Sequence, residues 1–163
     1  NSKLTNLYTG PMFYVTNTKA IASLENTVLE SNGTVLVQVT SDRWGRTGAN
    51  GATFTLQTQN QQLTGDILAN NLSSINLEFS KNTVWKGALN KDNAAHMANI
   101  HLAADACWEL TADSYISTLE DAADDFHNIK SNGHTIYYDT TSATNLKGQT
   151  YALTDGGKLT PKE

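Results

Sequence analysis

The chain has 163 residues, a formal net charge of −5 and only 17% charged side chains, and it contains no run of Lys or Arg. Binding to a phosphate backbone needs such a basic footprint, so nucleic-acid recognition is excluded. No apolar stretch approaches the length of a bilayer span, which sets membrane insertion aside.

Thr, Asn and Ser together account for 50 residues. Thr fits a pleated strand and Asn tolerates left-handed backbone angles, so this balance predicts short β-branched strands joined by Asn-rich corners. The single cysteine, Cys107, excludes an intrachain disulfide and any cysteine-based metal cluster; beside Trp108 it reads as a small buried hydrophobe. Nothing in the composition marks an internal boundary, so residues 1–163 are taken as a single domain or fragment. The start at Asn1 without Met fits a processed protein or an excised piece.

In chain order, Phe13-Tyr14-Val15 leads to Ile21-Ala22-Ser23-Leu24 and Val28-Leu29, and Val35 to Val39 follows an Asn32-Gly33 turn. A glycine-rich loop from Ser41 to Gly51 then holds both arginines, Arg43 and Arg46. Three copies of one pattern come next. Phe54-Thr55-Leu56 precedes Leu63-Thr64-Gly65-Asp66-Ile67; Ile75-Asn76-Leu77 precedes Val84 to Leu89; Ile100-His101-Leu102 precedes Trp108 to Asp113. A polar insertion, Asn90 to Met97, separates the last two. Weaker copies follow at Tyr115 to Leu119, Ile129, Ile136-Tyr137-Tyr138 and Tyr151-Ala152-Leu153.

Phe54 and Ile75 lie 21 residues apart, and Ile75 and Ile100 lie 25 apart, the length of one solenoid coil. Strands this short would also suit a β-sandwich. A sandwich does not require successive strands to repeat in phase, whereas a solenoid stacks like positions of successive coils. The repeated corner therefore favours an all-β fold, a right-handed parallel β-helix. Phe54, Ile75 and Ile100 are expected in one inward ladder, and Leu56, Leu77 and Leu102 in a second.

Several strings carry a resemblance: Met12 to Thr18, Asp42-Arg43-Trp44-Gly45, Leu63 to Ile67, Trp85 to Asn90, Trp108 to Tyr115, and Asn132 to Tyr138. They resemble segments of secreted clostridial and related β-helix proteins, known as carbohydrate-binding-domain-containing and similar in architecture to polysaccharide lyases. The resemblance spans most of the chain and rests on coil-forming motifs. It implies a secreted or cell-surface protein, polysaccharide as partner, and calcium as a cofactor of some members. No ligand-binding residue of the family is carried over.

Sugar binding relies on aromatic faces supported by amides and hydroxyls. Trp44, Tyr137 and Tyr138 are the ligand-binding candidates, with Arg43 beside them. Trp85 and Trp108 occupy corresponding corners and make either an internal ladder or an external platform; packing is favoured for Trp108. Calcium prefers several oxygens from flexible loops. Asp121, Asp124 and Asp125 form either such a site or a solvated acidic turn. The four histidines show no zinc spacing, and His101, alternating with Ile100 and Leu102, should face solvent.

These features predict an extracellular binding or adhesion module that recognises polysaccharide without turnover. One alternative is a calcium-assisted uronate lyase using Arg43, although an Asp42–Arg43 ion pair accounts for that arginine without catalysis. Another is a structural solenoid spacer. Exposed, aligned aromatics favour binding; a cleft holding Arg43 and several carboxylates favours the lyase. The chain is further expected to form the C-terminal portion of a longer solenoid, with the polar segment after Asp155 closing the stack. Phe13 to Val15 would then pair with another β-helix chain or with an upstream part of the same protein.

Overall fold

The computed structural model describes residues 2–163 and shows a β-solenoid of about seven turns, with no α-helix among those residues. The corners bear out the compositional expectation. Asn26, Asn60 and Asn82 take positive φ where successive coils leave the same face, a conformation Asn accepts at low steric cost.

The first coil contains β1 (Ser2–Asn6), β2 (Phe13–Thr16) and β3 (Lys19–Glu25), and the second β4 (Thr27–Ser31), β5 (Val35–Thr40) and β6 (Thr53–Gln59). The third contains β7 (Gln62–Thr64), β8 (Asp66–Ala69) and β9 (Ser74–Ser80). The fourth contains β10 (Val84–Lys86), a single bridging residue Leu89, and β11 (Met97–Leu102). The fifth contains β12 (Cys107–Glu109), β13 (Ser114–Ile116) and β14 (Thr118–Asp121). After β15 (Ile129–Lys130) and β16 (Thr135–Tyr138) come a 3-10 turn (Thr144–Leu146), β17 (Tyr151–Ala152) and β18 (Lys158–Pro161).

These strands stack into three faces. The first carries β1-β4 and β7-β10-β12-β15, the second β2-β5-β8 and β13-β16-β18-β17, and the third β3-β6-β9-β11-β14. Ile67 bridges to Leu89, and the Leu89 N–H donates to Ser114 Oγ, which joins the two parts of the second face. Every strand pair is parallel except β17 with β18.

On the third face the inward columns are Ala20–Phe54–Ile75–Ala98, Ala22–Leu56–Leu77–Ile100–Leu119 and Leu24–Thr58–Phe79–Leu102. The expected ladders are thus corrected in the third copy. Ile100 stacks on Leu77 and Leu102 on Phe79, because the register places Ala98, 23 residues after Ile75, opposite it. All remain inward, since a two-residue slip preserves the alternation of a strand. The β8–β9 and β13–β14 corners turn the chain onto this face within a few residues, whereas Ser41–Ala52 and Asn90–His96 project as loops.

On the first face, Leu63, Trp85, Trp108 and Ile129 form one buried column. The indoles stack with centroids 5.2 Å apart and planes 12° from parallel. Each indole N–H donates to a glycine carbonyl one coil back: Trp85 to Gly65 at 2.9 Å and Trp108 to Gly87 at 3.0 Å. The tryptophans are therefore an internal ladder. Cys107, pointing the opposite way from Trp108, is only half-buried, which corrects its reading as a core residue.

The two ends of the stack differ. At the later end, β17 lies antiparallel on β18, Thr154 bridges to Lys130, and the Asn145 side chain donates to the Leu119 carbonyl. β14 remains the outermost strand of the third face and β17 that of the second. At the early end, β1, β2 and β3 are outermost, and no described strand pairs with their free edges.

Leu77→Ala is expected to cost roughly 2–5 kcal/mol in urea unfolding through the cavity left between coils, whereas exposed Lys86→Ala should stay within about 0.5 kcal/mol. At Gly87 an added methyl would lie 2.2 Å from the Gly65 carbonyl oxygen and 2.7 Å from the Trp85 indole nitrogen. Gly87→Ala is accordingly expected to destabilise by about 2–3 kcal/mol and to perturb tryptophan fluorescence in the folded state.

Candidate functional site

Strand alternation decides which aromatic side chains reach the surface. In β16, Ile136 and Tyr138 point inward while Tyr137 points outward. Tyr138 is fully buried, and its hydroxyl donates to the Gln149 carbonyl at 2.8 Å, tying the segment after β16 to the core. It is a structural residue, so its expected ligand role is withdrawn. Tyr137 stays partly exposed and meets Tyr115 from the coil before it.

The two rings stack with centroids 4.9 Å apart and planes 14° from parallel. They line a cleft of about 490 Å3 together with Asn93, Lys158, Thr160 and Lys162. A smaller cavity of about 280 Å3 adjoins it between Tyr115 and His96. One wall is the Asn90–His96 loop. Buried Asn90 holds that loop in place, its side-chain oxygen accepting from the Ala94 and Ala95 N–H groups while its amide donates to the Tyr115 carbonyl. Across the cleft, Lys162 Nζ donates to Asn93 Oδ1 at 2.8 Å. Most of this wall is fixed by backbone contacts, so a ligand would meet a preformed surface.

Tyr14 belongs to the same outward column. Its register neighbours are Gln38 and then Leu68, as Thr160 is that of Tyr137. Five rungs separate Tyr14 from Tyr137, about 24 Å at the usual strand spacing. The Tyr14 hydroxyl donates to Asp42 Oδ2 at 2.7 Å. That bond raises the tyrosine pKa and, with the Arg43 N–H, lowers that of the carboxyl.

Trp44 is 62% exposed, and the Arg43 guanidinium lies over its ring at 5.4 Å from the centroid. Asp42 accepts from the Arg43 backbone N–H rather than pairing with its side chain, so the expected ion pair is replaced by a cation–π contact. Arg43 and Trp44 therefore mark the early end of the second face, apart from the Tyr115–Tyr137 cleft, and no carboxylate-lined cleft surrounds Arg43 among the described residues.

The three acidic candidates are engaged differently. Asp125 Oδ1 lies 2.5 Å from His127 Nδ1, Asp124 is exposed, and Asp121 Oδ1 accepts from the Ala123 N–H and the Asn128 amide. Among the described residues no three His, Cys, Asp or Glu side chains converge. Asp121 Oδ2 and Asn128 Oδ1 are buried without a hydrogen-bond partner.

A second groove, of about 570 Å3, runs along the third face past Ser23, Gln57, Glu78 and His101. His101 faces solvent as expected. The polar groups here bond from rung to rung: Ser23 to Gln57, Gln57 to Glu78, Asn99 to Asn76 and Thr118 to Asn99. Such cross-strand bonds stabilise the outside of the sheet. Tyr115 was overlooked as a ligand-binding candidate. The available signal was that Tyr115 and Tyr137 stand 22 residues apart, one coil, each directly after an inward residue.

No protein-family model, curated protein or solved structure gave a significant match to the chain.

Burial pushes the Asp121 carboxyl above its ordinary value of 3.8, outweighing the hydrogen bonds that favour its charged form. Because the raised value belongs to the folded state, the penalty is absent well below pH 3.8 and grows as pH rises through the folded pKa. Asp121→Asn is therefore expected to raise Tm by about 2 °C at pH 7 and to leave it unchanged at pH 3, read by circular dichroism. A lower Tm at pH 7 would contradict this account of the site.

Proposed function

We propose that the protein is an extracellular polysaccharide-binding or adhesion module, without turnover, whose ligand lies in the cleft over Tyr115 and Tyr137. The observation that carries this reading is the stacked, outward-facing tyrosine pair in a cleft lined also by Asn93, Lys158, Thr160, Lys162 and Glu163. Aromatic carbons can pack on the apolar C–H patches of a sugar, and Asn93, Thr160 and the lysines offer hydrogen bonds to its hydroxyls. Lys158 and Lys162, with Glu163 beside them, leave the cleft open to neutral as well as acidic sugars. Tyr14 and Trp44 on the same flank would extend the track for a longer chain.

A uronate lyase would need Arg43 among carboxylates that neutralise the sugar acid, and nothing in the geometry around Arg43 supplies them. A purely structural spacer needs no preformed cleft. Calcium enters as a condition to vary rather than as an assigned ligand.

Affinity electrophoresis through gels containing polygalacturonate, alginate, xylan or soluble cellulose derivatives, with and without calcium, tests the proposal. Retardation by at least one polymer is expected, with Tyr115→Ala and Tyr137→Ala each weakening it roughly five- to tenfold. Tyr138→Phe should lower stability and leave affinity intact in the folded fraction. Ultraviolet-absorbing unsaturated products lost on Arg43→Ala would establish the lyase instead. Retardation by none of the polymers would favour the spacer.

A further inference from the structure

Three connections of the chain stand side by side on one edge of the second face. Ser41–Ala52 follows β5, Asn70–Ser73 follows β8 and Asn90–His96 follows Leu89, so each leaves the corner between the second and third faces. They are bonded to one another. Asn70 Nδ2 donates to Ser41 Oγ at 2.6 Å, and the His96 N–H is shared between the Asn70 and Ser73 carbonyls at 3.2 and 3.0 Å. Gly51 packs so closely on this corner that an added β-carbon would lie 1.8 Å from the Leu72 carbonyl oxygen. With the Lys162–Asn93 bond, these contacts make a ridge that follows the solenoid axis from β5 to the end of β18.

The opposite edge of the second face carries no such wall. At β7–β8, β12–β13 and β15–β16 the chain passes from the first face to the second in one, four and four residues. Between the two edges lies the outward column, which begins at Tyr14 and continues through Gln38 and Leu68 to Tyr115 and Tyr137, all exposed or half-buried. On the fourth coil Asn90 holds that position and is buried; the exposed residue beside it is Lys91, whose ammonium reaches back to Asp66 at the head of β8 at 2.6 Å. Floor and ridge together form a ledge parallel to the axis.

We propose that the ligand is an unbranched, extended polysaccharide that lies lengthwise on this ledge, with about one sugar per coil. The inference rests on the cleft reading given above and adds the direction, length and shape of the ligand. In an extended chain each pyranose advances by nearly the rung spacing of ~4.8 Å, so successive rings keep step with successive outward side chains. A chain lying across the second face would run into the ridge, and so would branches on that side. Tyr115 and Tyr137 hold two neighbouring sugars. Tyr14, 51% exposed, stacks on a sugar five coils from Tyr137, while Gln38 and the Lys91–Asp66 pair offer hydrogen bonds between these stations.

Calorimetric titration with cello-, xylo- and galacturonate oligomers of roughly two to eight units tests the proposal. In at least one series affinity is expected to rise about tenfold between three units and six and then to level off. Tyr14→Ala should bring the six-unit oligomer down to the affinity of the three-unit one and leave the latter unchanged, which also serves as the folding control. Tyr14→Phe, which loses only the bond to Asp42, should keep the gain with length. Tyr137→Ala should weaken every length. In NMR spectra the six-unit oligomer, unlike the three-unit one, should shift the Gln38 side-chain amide and the Leu68 methyls. Equal affinity for both lengths, or a gain with length that survives Tyr14→Ala, would overturn lengthwise binding and leave the cleft reading intact. Absence of binding at every length in all three series would overturn the cleft reading, and this inference with it.

Discussion

Each coil of this protein buries its inward residues only against the coils above and below, so the structure depends on keeping like positions in phase. Leu77 is covered because Leu56 and Ile100 occupy the same place one coil either side. The tryptophan ladder imposes the same condition more strictly. Its indole donors find a glycine carbonyl one coil back, and at Gly87 a β-carbon would crowd the bond between Trp85 and the Gly65 carbonyl. Stability is thereby distributed along the stack, as in other repeat architectures.

Phase also places the functional surface. A column that points inward must be apolar, while the column one residue later is free to vary and presents successive side chains to solvent about 4.8 Å apart. On the third face that freedom is used for a ladder of hydroxyls, amides and carboxylates bonded to one another. On the second face it yields Tyr115 beside Tyr137, and an insertion held by Asn90 turns the flat sheet there into a cleft. The two faces share a backbone plan and differ in what the outward columns carry, stacked tyrosines on the second and bonded polar side chains on the third.

Much of the fold was legible in the sequence because alternation is clean in β6, β9 and β11, and the Asn corners recur where the chain leaves the third face. The division into three faces was harder to see. Leu63 to Ile67 reads as one strand, yet Gly65 at φ +117 breaks it into β7 and β8 on different faces. The slip by two residues in the third coil arose because the insertion hid the true repeat length, and alternation alone cannot distinguish registers two residues apart. At the site, adjacent Tyr137 and Tyr138 look equivalent until the parity of β16 is known. The role of Asn90 was invisible, since it depends on hydrogen bonds to a loop and to the next coil.

The most direct test of the central claim, that the second-face cleft is the ligand surface, is an NMR titration of isotopically labelled protein with oligosaccharides from a polymer that retards it. The account predicts shifts in the Tyr115 and Tyr137 ring resonances and in the amides of residues 90–96, with the third face unaffected. Shifts centred on Gln57, Glu78 and His101, with the tyrosines unmoved, would contradict it.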